Sequence, residues 1–398
     1  MDLSHHSVIV FGRFETGLAI MRSLGEAGVK FLSIDYKKDV GWYSRYGSKS
    51  LCPKPVDESS LLDWVSRNFN PDRQRIAFVS NDGFLNFFSR NRDYLAKYFS
   101  LEMPSAETLN RIQDKLLQYD LCIELGVPAP KTIEVTVGID VSNFPFPAFL
   151  KGKDVNTWRK YFGGNQKGFV ISSKSHFDDF MKHFPLHQVS VILQELIQGP
   201  DENHYKYCAY RDGSGKIVAE FMLQKIIQYP VHFGIGASVK SVFNEKLLIE
   251  GRKLFHEINY CGVGSAEFKL DERDGVFKLI ELNPRYWQQN YLSTTCGINF
   301  PSLQYGRFLG NRVCVHSEYR RGVMWRNGLL TLYALTEYFR MGRLDFLSRI
   351  KMLRGRTVYS HLDLADIKPW LNHIEYGIVI LKLPFILLRL FIRSGRKQ

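Results

Sequence analysis

KLIELNPRYWQQN, residues 278–290, starts as a strand and turns polar without a break. Lys278, Leu279 and Ile280 read as a buried strand that runs straight into Glu281, Leu282, Asn283, Pro284 and Arg285. Taking a lone carboxylate out of water costs several kcal/mol unless a cation or a set of hydrogen bonds compensates it. A positive charge is therefore expected at Glu281. Fourteen residues upstream, GVGSAEFK (262–269) carries a second strand carboxylate, Glu267, and DERDG (271–275) reads as the turn between the two strands. Such a hairpin sets Glu267 beside Glu281 and Asn283, since residues two apart on a strand share a face. Two carboxylates and an amide oxygen suit Mg²⁺, which keeps several waters and shares its coordination with substrate phosphates. Two strand carboxylates by themselves read better as surface acids on an ordinary hairpin with an Asn-Pro turn.

The lysines shift that balance. Lys115 sits on a helix, Lys151 closes the apolar run FPAFL (146–150), and Lys225 follows the strand at 219–223. GGNQKG (163–168) is a short glycine-rich turn. Singly, each lysine is a solvated surface charge and the turn an ordinary hairpin. Together they form the set of cations and open backbone that a polyphosphate requires.

This ordered series resembles the ATP-grasp superfamily, in particular its carboxylate-amine ligases, over residues 1–310. The resemblance implies ATP and two Mg²⁺ ions, with Mn²⁺ able to substitute. Lys115, next to Asp114, corresponds to the lysine that approaches the nucleotide phosphates, and Lys151 to the strand-end lysine on the α- and β-phosphates. Gly163 and Gly164 open the loop that closes over the phosphates. In VILQELIQGPD (191–201), Gln194 and the backbones of Glu195 and Ile197 would meet adenine, and Asp201 would hold the ribose. Lys225 matches the triphosphate lysine, Glu267, Glu281 and Asn283 match the metal ligands, and Arg285 matches the arginine at the reacting carboxylate. Lys225 and Arg285 are thus the implied catalytic pair. One departure is Gln194, where many members carry Glu; its carbonyl still accepts a hydrogen bond from the adenine amino group.

The chain's 398 residues imply two or three domains, and 45% hydrophobic with 23% charged residues excludes a disordered chain. Residues 1–105 read as an α/β, Rossmann-like domain: SVIVF (7–11), a helix with Leu18, Met21 and Leu24 on one face, a second strand at 29–35, and RIAFVS (75–80) repeating the pattern. Gly12-x-x-x-x-Gly17 is not GxGxxG and Asp35 alone is a poor ribose contact, so no dinucleotide is expected there. In the resembled family this domain helps form the acceptor side. Residues 106–310 read as an α+β ATP-grasp domain of two subdomains with a hinge near 194–201. It opens on a helix over 107–125 whose apolar face carries Leu109, Ile112, Leu116, Leu117 and Leu121. Strands are expected at 148–150, 168–171, 189–194, 206–210, 217–223 and 276–282.

Residues 311–398 read as a basic, mostly helical extension: 16 Lys and Arg against 6 Asp and Glu give +10 of the chain's +13. The rest is near balance, which argues against a nucleic-acid partner. YGIVILKLPFILLRLFIRSGRKQ (376–398) is too interrupted by Lys382, Pro384 and Arg389 to span a bilayer. It fits a basic amphipathic helix on the inner membrane surface, or a helix docked on the body, and the sequence leaves both open. The six cysteines (Cys52, Cys122, Cys208, Cys261, Cys296, Cys314) are scattered without a zinc spacing, and MDLSHHSVIVFG lacks a basic n-region. Buried free thiols and a cytoplasmic location, on the membrane face if the tail binds lipid, are expected.

The expected activity is an ATP-dependent ligase that activates a carboxylate as an acyl phosphate and joins it to an amine. Small-molecule or glycan-linked substrates in cell-envelope or surface-polysaccharide synthesis would suit a membrane location. The alternative is a catalytically silent nucleotide-binding regulator or scaffold, which would dispense with a metal ligand or Arg285. A nicotinamide oxidoreductase would need a glycine fingerprint in residues 9–17, which is absent. His204 and His232 are kept outside the site, a lone histidine being more often packed or at the surface.

Overall fold

The computed structural model describes residues 5–163, 166–311, 315–341 and 345–373. The chain divides into two compact units, one of Met1–Leu101, Ile226–Ser241 and Arg285–Gln398, the other of Glu102–Lys225 and Val242–Pro284.

The first unit opens with a five-stranded parallel sheet of β1 (Val8–Phe11), β2 (Leu32–Asp35), β3 (Ser48–Leu51), β4 (Arg75–Val79) and β5 (Phe99–Ser100), in the order β3-β2-β1-β4-β5. Val8, Ile9, Val10 and Phe11 are all fully buried, as expected of a central parallel strand covered on both faces. Gly12 and Gly17 serve packing: Gly12 has φ +91°, and a Cβ on Gly17 would collide with the Gly12 carbonyl. Asp35 is used locally, accepting the backbone N–H groups of Arg13 (2.7 Å) and Tyr36 (2.7 Å).

In the second unit, β6 (Thr132–Val135), β7 (Ala148–Gly152), β8 (Phe169–Ile171) and β9 (Val191–Glu195) form an antiparallel sheet in the order β6-β9-β7-β8. Its core includes Leu150, Trp158, Ile171, Phe177 and Leu193. Next come β10 (His204–Arg211) and β11 (Ile217–Tyr229), and the chain leaves this unit within β11. β12 (Ile235–Ser241) belongs to the first unit. β13 (Gly262–Leu270) and β14 (Phe277–Asn283) complete the second unit, pairing antiparallel as β14-β13-β10-β11. The helix Glu245–Glu257 buries Leu247, Leu254 and Phe255 in a core shared with Tyr207, Phe268 and Leu279.

The single helix expected over 107–125 is two helices, Ala106–Gln113 and Lys115–Leu125. Asp114 takes extended φ/ψ and caps the second, its carboxylate accepting from the backbone of Leu116 (2.9 Å) and Leu117 (3.1 Å). After residue 310 the first unit carries two short strands besides helices. β15 (Met324–Arg326) pairs with β12, and β16 (Thr357–Tyr359) lies parallel to β15. Among the described residues, no helix is long and apolar enough to cross a membrane. Residues 376–398 and Cys314 lie outside the described residues.

Candidate functional site

The hairpin read from the sequence brings Glu267 directly opposite Glu281, with Ser265 opposite Asn283. A register shift between Glu267 and Phe268 inserts an extra residue on β14, so Phe268 pairs with Leu279 while the two carboxylates still face each other. Like charges at directly opposed positions destabilise a sheet, so cations must sit beside them. Lys115 Nζ lies 2.7 Å from Glu281 Oε1. Glu267 has a lysine on each oxygen, Lys206 Nζ at 2.9 Å from Oε1 and Lys225 Nζ at 2.8 Å from Oε2. The charge of Lys115 holds the Glu281 carboxyl down to about 2, against burial and the repulsion of Glu267. Burial pushes the Glu267 carboxyl up, but Lys206 and Lys225 together hold it well below the usual carboxylate range. Both carboxylates are thus ionised at neutral pH.

Each side chain is delivered by local structure. The Asp114 cap starts the helix at Lys115, whose neighbour one turn on, Gln118, accepts the backbone N–H of Leu282 (3.1 Å) and so ties this helix to the end of β14. Lys151, near the end of β7, donates to Gln194 Oε1 (2.8 Å), and Gln194 donates in turn to Thr132 Oγ1 (2.9 Å). Burial, then the charge of Lys115, push the Lys151 ammonium down to about 8. Asn283 donates its amide to Glu281 Oε2 at 3.4 Å. The second unit therefore brings together Lys115, Lys151, Gln194, Lys225, Glu267, Glu281 and Asn283.

The remaining expected residues are placed as follows. The Glu195 side chain is occupied by Arg273 and the backbone of Lys131 (3.1 Å), so only its backbone is open to the role given to it. Ile197 and Asp201 are buried in the connection after β9. Gly163 is exposed with φ +78°, and Gly164 lies outside the described residues. Arg285 belongs to the first unit, where it makes a two-pronged ion pair with Asp82, Nε to Oδ1 at 2.7 Å and Nη2 to Oδ2 at 2.9 Å.

Lys206 is the residue the sequence reading missed. Its signal was available: a lysine inside HYKYCAYR at a position alternating with buried apolar ones. His204, two residues earlier on the same face of β10, has its imidazole pushed down to about 3 by burial and by the charges of Lys225 and Lys269. Its Nδ1 is buried and takes no hydrogen bond among the described residues, an orphaned polar atom of the kind a bound ligand satisfies. Two ionised carboxylates and an amide oxygen fit a hard divalent cation, and the surrounding lysines fit a polyphosphate. Among the described residues, no group of three or more His, Cys, Asp and Glu side chains is arranged to hold a metal ion.

The chain has the ATP-grasp fold, preceded by a Rossmann-like parallel sheet. Among solved structures, the ADP complex of N5-carboxyaminoimidazole synthetase from Staphylococcus aureus matches with a TM-score of 0.60 at 14% identity, covering 80% of each chain. Among curated proteins, the chain is 25% identical over 258 residues to the D-aspartate ligase of Enterococcus faecium (strain Aus0004), covering 62% of this chain. It is 22% identical over 220 residues to the pyruvate carboxylase of Aspergillus niger, covering 50% of this chain. The chain spans 61% of the length of that ligase and 18% of that carboxylase. No protein-family model matches the chain.

Proposed function

We propose that the chain is an ATP-dependent ligase that turns a carboxylate into an acyl phosphate and joins it to an amine, releasing ADP and phosphate. The observation that carries this reading is the facing pair Glu267 and Glu281, kept ionised by the buried strand lysines Lys206 and Lys225 and by Lys115 from the neighbouring helix. The similarity to a D-aspartate ligase supports it and makes an amino acid the class we favour for one of the two substrates.

A carboxylate is a poor acyl donor because oxide is a poor leaving group; phosphorylation replaces it with phosphate. The protein's task is then positioning and charge neutralisation, with no side-chain nucleophile. Lys115, Lys151 and Lys225 hold the phosphate oxygens, and on nucleotide binding Lys151 gives up Gln194, freeing that amide for the adenine edge. Mg²⁺, held by Glu267, Glu281 and Asn283, would supply charge neutralisation at the β- and γ-phosphates. Arg285, released from Asp82, is the group we assign to the reacting carboxylate. His204, neutral and with an unused Nδ1, accepts a hydrogen bond from a hydroxyl of the nucleotide. The +10 of residues 311–398 is the reason to place the reaction near an anionic membrane surface on the cytoplasmic side, where cell-envelope or surface-polysaccharide precursors are built. A silent nucleotide-binding protein has no observation of its own in its favour, because Glu267, Glu281, Asn283 and Arg285 are all present.

The test is ATP-dependent hydroxamate formation over a panel of carboxylates, with hydroxylamine as the trap and Glu281→Gln as control. Hydroxamate from one acid, lost in the variant, supports acyl-phosphate chemistry and identifies that acid. Mg-ATP binding with no hydroxamate from any acid, polymer-linked ones included, would favour the silent reading, and failure to bind ATP would sink both.

A further inference from the structure

Glu267 is one carboxylate between two ammonium groups. Lys206 Nζ and Lys225 Nζ each take one of its oxygens, and the three side chains are only 9%, 10% and 14% exposed. One negative charge neutralises one lysine, so Lys225 alone would satisfy Glu267. The second buried lysine leaves an uncompensated positive charge, which a fold retains only where an anion repays the cost. Register keeps both cations on the sheet face that carries the carboxylates. Lys206 is directly opposite Glu267 across β10 and β13, and Glu267 is directly opposite Glu281 across β13 and β14.

We propose that Lys206 is itself a phosphate-binding residue of this site, and that with Lys206 present the site takes one divalent cation per nucleotide instead of two. The proposal rests on the ligase reading only for the identity of the anion, a nucleoside triphosphate. Charge arithmetic supports it. Lys115, Lys151, Lys206 and Lys225 against Glu267 and Glu281 leave 4 − 2 = +2. A triphosphate nucleotide brings about four negative charges, so one Mg²⁺ brings the site to neutrality and a second would leave it at about +2. Glu281 has a single lysine and a 41% exposed side chain, with Asn283 two residues away, and is the better ligand for the one ion.

The experiment uses the full chain with Mn²⁺ and a non-hydrolysable ATP analogue, counting bound Mn²⁺ by the loss of the free-ion EPR signal. Wild type is expected to hold one Mn²⁺ tightly per nucleotide, and Lys206→Glu, which replaces an ammonium with a third carboxylate, to hold two. Lys206→Met should weaken nucleotide binding about tenfold or more at fixed Mn²⁺, as loss of a charge-assisted bond does, and Lys206→Arg should recover most of it. Thermal unfolding of each variant separates lost binding from lost fold. Two tight Mn²⁺ per nucleotide in wild type, or an unchanged affinity in a folded Lys206→Met variant, would overturn the proposal and leave the ligase reading standing. Wild type that binds no nucleotide would overturn the ligase reading, and this proposal with it.

Discussion

At Glu281 a carboxylate that reads as a liability in the sequence is half solvated and paired with one lysine. Its ion pair with Lys115 is 22% and 41% exposed at the two side chains, so solvent screens it and its loss costs little stability. Glu281→Gln should therefore change the unfolding free energy by less than about 1 kcal/mol while lowering hydroxamate formation by about 100-fold or more, and paired melts and rates check the split. Lys151 behaves differently because burial has pushed it down to about 8 from its ordinary value of 10.5. Between these values the unfolded chain binds the proton that the folded chain has released, so Lys151 makes stability rise with pH across that window. Its phosphate contact needs the ammonium form, so nucleotide affinity should fall as pH rises through about 8, with proton uptake on binding above that pH. Calorimetry in buffers of different ionisation enthalpy measures both, and Lys151→Met should abolish the uptake.

At the scale of elements, the site depends on a helix ending one residue early. The apolar spacing from Leu109 to Leu121 is continuous in sequence, but the Asp114 carboxylate bonds the backbone of Leu116 and Leu117, competing with the helical conformation at its own position. This puts Lys115 at the first position of the new helix, within reach of Glu281. Asp114→Ala should lose about 1 kcal/mol of cap energy and weaken nucleotide binding through a frayed Lys115, whereas Asp114→Asn should retain most of both. Denaturant unfolding and nucleotide titration of the two variants make the comparison. The β13–β14 pair shows the same dependence on local geometry. Counted from the Leu270–Phe277 pair, strict alternation would put Glu267 opposite Ile280 and Glu281 on the other face; the register shift between Glu267 and Phe268 brings the two carboxylates opposite each other across a hairpin whose two arms differ by a residue.

At the scale of each whole unit, distant segments are joined by buried polar groups that no local pattern announces. In the first unit Arg22 and Asp366 form an ion pair 3.0 Å long with both side chains 1% exposed, and Arg22 also donates to the carbonyls of Ser360 (2.9 Å) and His361 (2.8 Å). Asp366 accepts from Ser44 Oγ (2.8 Å) and the backbone of Arg45 (2.7 Å) as well. Removing one partner strands the other charge, so Asp366→Ala should destabilise the first unit by roughly 3–5 kcal/mol, seen as an earlier unfolding transition. Nucleotide affinity of the second unit at low temperature should persist, since Lys115, Lys151, Lys206, Lys225, Glu267 and Glu281 all belong to it.

The residues of the chain by themselves determined the opening parallel sheet, the hairpin that carries Glu267 and Glu281, and Lys115, Lys151 and Lys225 as its cations, because strand patterning, turn chemistry and the cost of a buried charge act over a few residues. They also excluded a dinucleotide fingerprint at Gly12 and Gly17, glycines that serve close backbone packing. Tertiary structure alone decided that β11 carries the chain out of one unit and β12 lies in the other, that Asp35 is spent on the backbone of Arg13 and Tyr36, and that Arg22 and Asp366 meet. It decided, too, that Lys206 stands opposite Glu267. The reason is the same in each case: a buried charge is stable only beside its partner, and which partner that is depends on strand register and chain return over tens to hundreds of residues.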